Sequence, residues 1–188
     1  MTSSVASATS GTSPPRLTVV VPAYNESDNI AAAIADIRSH IFGVVPDAEL
    51  VIVDDGSRDA TLDIARGLAA GDPRIRILTQ VNAGHGPAVV HGLSEARGEF
   101  CMLLDSDRQI GLLDFAETWR LAQSHDAVLG VRSQRKDPWH RLLLSAALRA
   151  WLSVLLGVQV RDANVPYKVV RREIALRAIA MIDRKSVV

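Results

Sequence analysis

The sequence contains very little cysteine and few aromatic residues. Cys101 is the only cysteine among 188 residues, and Phe, Trp and Tyr together make up 4% of the chain. A disulfide within the chain is therefore excluded, and the position of Cys101 inside an apolar run predicts a buried, unreactive thiol. The hydrophobic fraction of 48% is ordinary for a globular protein. This length and composition predict a single domain with a substantial core.

The chain also has no net charge, but its charges are unevenly distributed. Residues 1–130 carry 9 Arg against 17 Asp or Glu, a balance of −8, and residues 131–188 carry 12 Lys or Arg against 4 Asp or Glu, a balance of +8. Such a division indicates that the front half holds a metal and the back half an anion. The basic residues have no interleaved aromatics and form no nucleic-acid-reading motif, so we expect no nucleic acid partner.

Apolar runs long enough to cross a membrane are also missing. Residues 1–15 are mostly Ser, Thr, Ala and Gly, which predicts a disordered tail. This stretch has neither the basic residues nor the apolar run of a secretory signal. Residues 141–157 are largely apolar, but as a helix they span only about 25 Å and carry Arg149 at their centre. They form either a core helix or a helix on a membrane surface or partner. Trp139 and Arg141 at its start favour the second.

Strand and helix patterns alternate along the first two thirds of the chain. Short apolar runs predict strands at residues 17–22, 49–54, 74–79, 100–104 and 126–132. Helical spacing between them gives apolar faces at Ile30, Ile34, Ile37 and Ile41, at Val89, Leu93 and Ala96, and at Leu112, Phe115, Ala116 and Trp119, with a further helix at residues 59–68. This alternation predicts an α/β fold, with a mostly parallel sheet and helices on both faces.

Acidic residues follow two of the predicted strands. Asp54 and Asp55 end the second strand, and Asp105 and Asp107, with Gln109 two residues further on, follow the fourth. Ligands of open α/β sheets gather outside the carboxyl ends of the strands. Oxygen ligands suit Mg²⁺ or Mn²⁺, so the pattern predicts a divalent metal site at this edge of the sheet. The alternative for Asp-x-Asp by itself is a solvated acidic turn.

Two other doubly wound classes share part of this pattern. In phosphoacceptor receiver domains the paired acids follow the first strand and a lone Asp follows the third, whereas here the pair follows the second strand. A dinucleotide-binding oxidoreductase needs Gly-x-Gly-x-x-Gly directly after the first strand, where this chain has Pro22-Ala-Tyr-Asn-Glu26. A receiver-like signalling module therefore stays only as a remote alternative.

Four motifs occur in order: Val20-Val-Pro-Ala-Tyr-Asn-Glu26, Val53-Asp-Asp-Gly-Ser57, Asn82-Ala-Gly-His-Gly86 and Leu104-Asp-Ser-Asp-Arg-Gln109. With them the chain resembles the family-two glycosyltransferases of the GT-A fold, and among these the polyprenyl-phosphate (dolichol-phosphate-type) mannosyl- and glucosyltransferases. The resemblance covers about residues 16–185. It implies a Rossmann-like GT-A domain over residues 16–188 and an inverting, metal-dependent enzyme. That enzyme would transfer a hexose from a nucleoside-diphosphate sugar of the GDP-mannose or UDP-glucose type to a polyprenyl phosphate. The alternative is a hydroxyl acceptor on a glycan or small molecule.

The same resemblance implies roles for individual residues. It implies that seven residues bind the nucleotide sugar: Pro22, Tyr24, Glu26, Asp55, Gly84, His85 and Asp105. Among them, Asp55 would contact the base. Those implied to hold Mg²⁺ or Mn²⁺ are Asp105, Asp107 and Gln109. Those implied to act in catalysis are Asp107, Arg132 and Asp162, and those at the acceptor phosphate are Arg132 and Lys168.

Three departures from the family pattern concern the substrates. His85 stands where the family has lysine, Pro166 replaces a glycine, and Ile110-Gly-Leu replaces prolines. The Gln-x-x-Arg-Trp signature of processive synthases is absent, which indicates one transfer per encounter. The family continues with a further strand and helix, so we expect a C-terminally truncated domain, its acceptor part at residues 131–188. We expect it to be cytoplasmic and peripheral at the inner face of the membrane.

Overall fold

The computed structural model describes residues 14–106, 112–129 and 168–185, with side chains described up to residue 181. Six strands form one sheet: β1 Leu17–Ala23, β2 Glu49–Asp54, β3 Ile75–Thr79, β4 Phe100–Leu103, β5 Ala127–Leu129 and β6 Lys168–Arg171. The helices are α1 Ile30–His40, α2 Thr61–Ala69, α3 His85–Ser94, α4 Phe115–Ala122 and α5 Arg172–Lys185. From β1 to β5, strands and helices therefore alternate along the chain as the sequence predicts.

The strand order in the sheet is β3-β2-β1-β4-β6-β5. Strands β1 to β4 pair in parallel, and β6 runs antiparallel to both β4 and β5. The predicted mostly parallel sheet is confirmed, whereas β6 was not predicted. A receiver domain has the order 2-1-3-4-5, so the antiparallel β6 between β4 and β5 also separates this fold from the receiver-like alternative.

Helices α1, α2 and α4 cover one face of the sheet. The four isoleucines predicted to share a face are all buried: Ile30, Ile34 and Ile37 lie in α1, and Ile41 directly follows it. Farther along this face, Phe115 and Trp119 of α4 pack with Phe100 of β4. Phe115, Ala116 and Trp119 lie in α4 as predicted, with Ala116 on its exposed side. Leu112 was predicted to belong to the same helix, but it is buried before α4 begins.

Helices α3 and α5 cover the other face, where α3 lies very close to the sheet. A Cβ atom at Gly92 would come within 2.4 Å of Cγ1 of Val20 and 3.0 Å of Cγ2 of Val53. Beside this contact, Cys101 is fully buried against Leu93, and burial raises the pKa of its thiol to about 12. The prediction that this thiol is buried is confirmed.

The close approach of α3 predicts that Gly92→Ala lowers the free energy of unfolding by about 1–3 kcal/mol, because the new methyl group overpacks the helix against the sheet. Urea unfolding measures this. Gly67→Ala is the matched control, since Gly67 also lies inside a helix but has open space around its Cα. That control should gain up to about 1 kcal/mol from helix propensity. Equal effects of the two substitutions would contradict the close packing.

Within the described part of the chain, no helix has both the length and the apolar character that a membrane crossing requires. The predicted membrane-surface segment at residues 139–158 lies outside the described residues, as do residues 1–13 of the tail predicted to be disordered over residues 1–15. At the end of that tail, the carbonyl of Pro15 accepts a hydrogen bond from the N–H of Glu99 at 3.2 Å. The end of the predicted fifth strand, residues 130–132, lies outside the described residues too.

Candidate active site

A cleft of about 530 Å³ opens at the carboxyl ends of β1, β2 and β4. These strands are neighbours and run in parallel, so the loops that follow them meet at one edge of the sheet. The residues lining the cleft are Pro22, Ala23, Tyr24, Glu26, Asp55, Asn82, Gly84, His85, Ala88, Asp105 and Ser106. All seven residues predicted to bind a nucleotide sugar are among them. Their roles remain predictions, but the fold brings them together.

The loop after β1 is fixed to the loop after β2 by hydrogen bonds. The backbone N–H of Asn25 donates to Oγ of Ser57 at 3.0 Å, and the N–H of Arg58 donates to Oδ1 of Asn25 at 2.8 Å. The N–H of Glu26 donates to Oγ1 of Thr61 at 2.7 Å. Asn25 has a φ of 55°, a left-handed conformation that Asn tolerates better than most residues. These bonds hold one wall of the cleft in position.

Asp59 supports the same wall from the start of α2. The predicted helix from residue 59 begins instead at Thr61, because Asp59 accepts hydrogen bonds from the N–H and hydroxyl of Thr61, at 3.0 and 2.5 Å. It also accepts one from the N–H of Ser27 at 3.1 Å. The hydroxyl of Thr61 contributes most, and together these bonds lower the pKa of Asp59 to about 2. Its carboxylate is therefore ionised at any physiological pH.

Asp55 is the most buried acid of the cleft, with 3% of its surface exposed. Its Oδ1 accepts from Nε2 of Gln80 at 2.7 Å and from the N–H of Ala83 at 2.9 Å, and its Oδ2 accepts from the N–H of Gly84 at 2.8 Å. Burial opposes ionisation, but these three bonds and the nearby His85 outweigh it and lower the pKa of Asp55. A fixed negative charge therefore lies at the end of β2.

Gly56 lets the loop after β3 approach Asp55. Its φ is 71°, and a Cβ atom there would come within 2.8 Å of the backbone nitrogen of Asn82. Nδ2 of Asn82 in turn donates to the carbonyl of Asp55 at 3.0 Å. A glycine directly after the two aspartates is therefore needed both for the backbone conformation and for the contact with the neighbouring loop.

The opposite wall follows β4. Beyond this strand, Leu104 donates its N–H to the carbonyl of Val20 at 3.1 Å, which directs the next residues into the cleft. There Asp105 is half-buried and Ser106 is buried. Lys168, at the start of β6, pairs in register with Leu103 and so lies at the same edge of the sheet, although it does not line the cleft. Four predicted site residues lie outside the described part of the chain: Asp107, Gln109, Arg132 and Asp162.

Two residues that contribute to the site were not predicted from the sequence. Gln80 contacts the carboxylate of Asp55, and Nδ1 of His91 lies 2.9 Å from Oε1 of Gln80. Gln80 directly follows β3, and His91 lies on α3, so neither belongs to a motif quoted above. The sequence carries no signal that these side chains reach the acid at the end of β2.

A mostly parallel sheet of this order, with acids at the carboxyl ends of neighbouring strands, is the GT-A fold of the glycosyltransferases found among its solved structural neighbours. The chain belongs to glycosyl transferase family 2, whose family model matches residues 18–174. The family predicted from the four motifs is therefore confirmed.

Curated relatives include proteins named for polyprenyl-phosphate substrates. The chain is 31% identical to the polyprenol monophosphomannose synthase of Mycolicibacterium smegmatis, over 91% of this chain and 68% of that protein. It is 26% identical to the undecaprenyl-phosphate 4-deoxy-4-formamido-L-arabinose transferase of Aeromonas hydrophila, over 90% of this chain and 53% of that protein. The chain spans about half the length of most of the curated relatives it matches.

Two solved structures illustrate the shared fold. A mannosyltransferase from Pyrobaculum calidifontis, in complex with GDP-Man and Mn²⁺, aligns with a TM-score of 0.64 at 25% identity, over 89% of this chain and 47% of that one. Glucosyl-3-phosphoglycerate synthase from Mycobacterium tuberculosis, in complex with UDP, aligns with a TM-score of 0.65 at 24% identity, over 85% of this chain and 57% of that one. The second likeness concerns the fold alone.

Proposed function

We propose that this chain is the catalytic domain of a glycosyltransferase that moves one hexose from a nucleoside-diphosphate sugar to a polyprenyl phosphate. The observation that carries the proposal is the convergence of two acids, Asp55 and Asp105, on one cleft at the ends of neighbouring parallel strands. The names of the two curated relatives described above support a lipid-phosphate acceptor.

The donor occupies the cleft with its base at Asp55 and its diphosphate toward Asp105. The carboxylate of Asp55 is buried and ionised, which suits hydrogen bonds from ring N–H groups of a base. Tyr24 has 42% of its surface exposed at the mouth of the cleft and can cover the nucleoside. Glu26 and His85 line the remaining walls.

The residues present fit a divalent cation. Asp105 supplies a hard oxygen ligand at the edge of the cleft, and Asp107 and Gln109 are the further ligands that we propose. With few protein ligands, the remaining positions would be filled by waters and by the diphosphate of the donor, which is how Mg²⁺ is commonly bound. A bound Mg²⁺ or Mn²⁺ would neutralise the charge that develops on the departing diphosphate.

The transfer itself needs no proton to be removed from the acceptor. An oxygen of the acceptor phosphate attacks the anomeric carbon from the face opposite the leaving group. As the new C–O bond forms, the bond to the nucleoside diphosphate breaks, and the electron pair leaves with that diphosphate. A phosphate monoester, with its second pKa near 6, is already mostly a dianion at pH 7. Cationic side chains that hold it therefore matter more here than a general base, which a hydroxyl acceptor would require.

The acceptor is held by the basic part of the chain. Lys168 lies at the same sheet edge as the cleft, and we assign it to the acceptor phosphate together with Arg132, with Asp162 orienting these cations. The apolar segment at residues 139–158 brings the domain to the membrane surface, where the lipid resides. This arrangement gives a peripheral protein at the cytoplasmic face.

The test is a binding and transfer assay on the whole chain. GDP- and UDP-sugars are screened by thermal shift with and without Mn²⁺, and we expect one class to stabilise the protein only when the metal is present. A radiolabelled hexose should then appear on polyprenyl phosphate but not on the matching polyprenol, which tests the hydroxyl-acceptor alternative. Metal-independent binding would contradict the metal site, and transfer to polyprenol alone would contradict the phosphate acceptor.

A further inference from the structure

A hydrogen-bonded chain of three side chains runs from α3 to the cleft. Nδ1 of His91 lies 2.9 Å from Oε1 of Gln80, and Nε2 of Gln80 donates to Oδ1 of Asp55 at 2.7 Å. An ionised carboxylate only accepts hydrogen bonds, so the NH₂ group of Gln80 must face Asp55 and its oxygen must face His91. Nδ1 of His91 therefore carries the hydrogen. The anion at Asp55 sets the direction of the whole chain.

The hydrogen bonds to Asp55 fill both acceptor positions of one of its carboxylate oxygens. Oδ1 accepts two hydrogen bonds, from Gln80 and from the N–H of Ala83, whereas Oδ2 accepts one, from the N–H of Gly84. A carboxylate offers about four acceptor positions, two on each oxygen. No further donor reaches the carboxylate from the residues that the structure describes. Counted over the described residues, one acceptor position of the carboxylate has no donor, on Oδ2, and we assign it to the ligand.

We propose that Gln80 makes Asp55 an acceptor for a single donor and thereby selects uracil over guanine in the nucleotide sugar. The inference rests on the proposed function, in which Asp55 faces the base. Uracil has one ring donor, N3–H, between two carbonyl groups, and this donor needs only Oδ2. Guanine presents N1–H and its 2-amino group side by side, a pair that needs both oxygens of a carboxylate. With Oδ1 occupied, one guanine donor would be buried without an acceptor, which weakens binding.

Gln80 is the specificity-determining residue in this arrangement, and His91 is a positioning residue. His91 does not line the cleft, so it acts only by holding the amide of Gln80 in its orientation. If the hydrogen bonds of Gln80 and His91 only held the loop after β3 in place, their loss would weaken every ligand of the cleft equally. If they set base specificity, their loss changes the ratio of the affinities for UDP and GDP and leaves the affinity for pyrophosphate unchanged.

The test is calorimetric titration of the whole chain with UDP, GDP and pyrophosphate, each with Mn²⁺. We expect the parent protein to bind UDP at least about tenfold more tightly than GDP. Gln80→Leu opens Oδ1 and should bring the two affinities within about threefold, with pyrophosphate unchanged. His91→Asn should shift the ratio in the same direction by less. Gln123→Leu is the matched control, because Gln123 is exposed and its side chain bonds to Arg16 and to the carbonyl of Trp119, away from the cleft.

Each outcome decides between defined alternatives. GDP binding as tightly as UDP in the parent would overturn the inference but leave the proposed function intact. Failure of both nucleotides to bind with Mn²⁺ would overturn the proposed function itself. An equal loss of affinity for UDP, GDP and pyrophosphate in Gln80→Leu would mean that the hydrogen bonds of Gln80 only support the structure of the cleft. If Gln80→Leu does not fold, the parent ratio and the His91→Asn titration still decide, and an unchanged ratio in His91→Asn then overturns the positioning role.

Discussion

Asp105→Asn should abolish metal-dependent binding of nucleoside diphosphates and lower transfer activity by about 100-fold or more. The substitution keeps the shape of the side chain but removes the charge, and a neutral amide is a much weaker ligand for Mg²⁺ or Mn²⁺ than a carboxylate. Without the cation, the charge that develops on the leaving diphosphate loses a stabilising contribution of several kcal/mol. Titration of UDP and GDP with and without Mn²⁺ measures the first effect, and initial rates measure the second.

The matched control is Asp47→Asn, which removes an equal charge from an exposed turn before β2, away from the cleft. It should bind the nucleotide and the metal as the parent does. Circular dichroism and urea unfolding should show that Asp105→Asn is still folded, because Asp105 follows β4 and is not part of the buried core. Unchanged Mn²⁺-dependent affinity in Asp105→Asn would remove Asp105 from the proposed metal site.

Strands and helices with strong apolar patterns were predictable from the sequence. The parallel strands β1, β2 and β4 are buried on both faces, so almost every residue in them is apolar and the pattern is unmistakable. Strand β6 is different. It has a cation at each end, Lys168 and Arg171, and it is defined by pairing with β4, almost seventy residues earlier in the chain. Such non-local pairing leaves no local periodicity to read.

The composition of the site was predictable for the same reason that the strands were. Acids directly after buried parallel strands must meet at one edge of the sheet, which is where Asp55 and Asp105 lie. What the sequence could not supply is the bonding of each acid. The carboxylate of Asp55 is largely occupied by Gln80 and by the loop after β3, a contact that depends on the positive φ of Gly56. Hydrogen bonds between distant loops follow from the completed fold only.

In the proposed function Asp55 both holds the neighbouring loop and faces the base, so Asp55→Ala is expected to affect both stability and binding. The substitution removes the acceptor of three part-buried donors, namely the amide of Gln80 and the N–H groups of Ala83 and Gly84. A fully buried group left unsatisfied costs about 1–3 kcal/mol, and water reaches part of these donors, since Ala83 is exposed. We expect the free energy of unfolding to fall by about 1–3 kcal/mol. Nucleoside binding should be lost together with it, so Asp55→Ala alone cannot separate the two functions.

Asp55→Asn separates them. Its oxygen can still accept from Gln80 and Ala83, whereas its NH₂ group faces the N–H of Gly84 and any N–H of the base, so free nucleoside should bind about tenfold or more weakly while the protein still folds.

The pH dependence of stability gives an independent check. The pKa of Asp55 is lowered in the folded protein, so its ionised form stabilises the fold above the ordinary value of 3.8, and this contribution is lost as the pH falls through the lower folded value. The difference in unfolding free energy between parent and Asp55→Asn should therefore be largest near neutral pH and shrink below pH 3.8. A difference that stays constant across this range would mean that Asp55 acts through its shape rather than its charge, and its assignment as the anion at the base would have to be withdrawn.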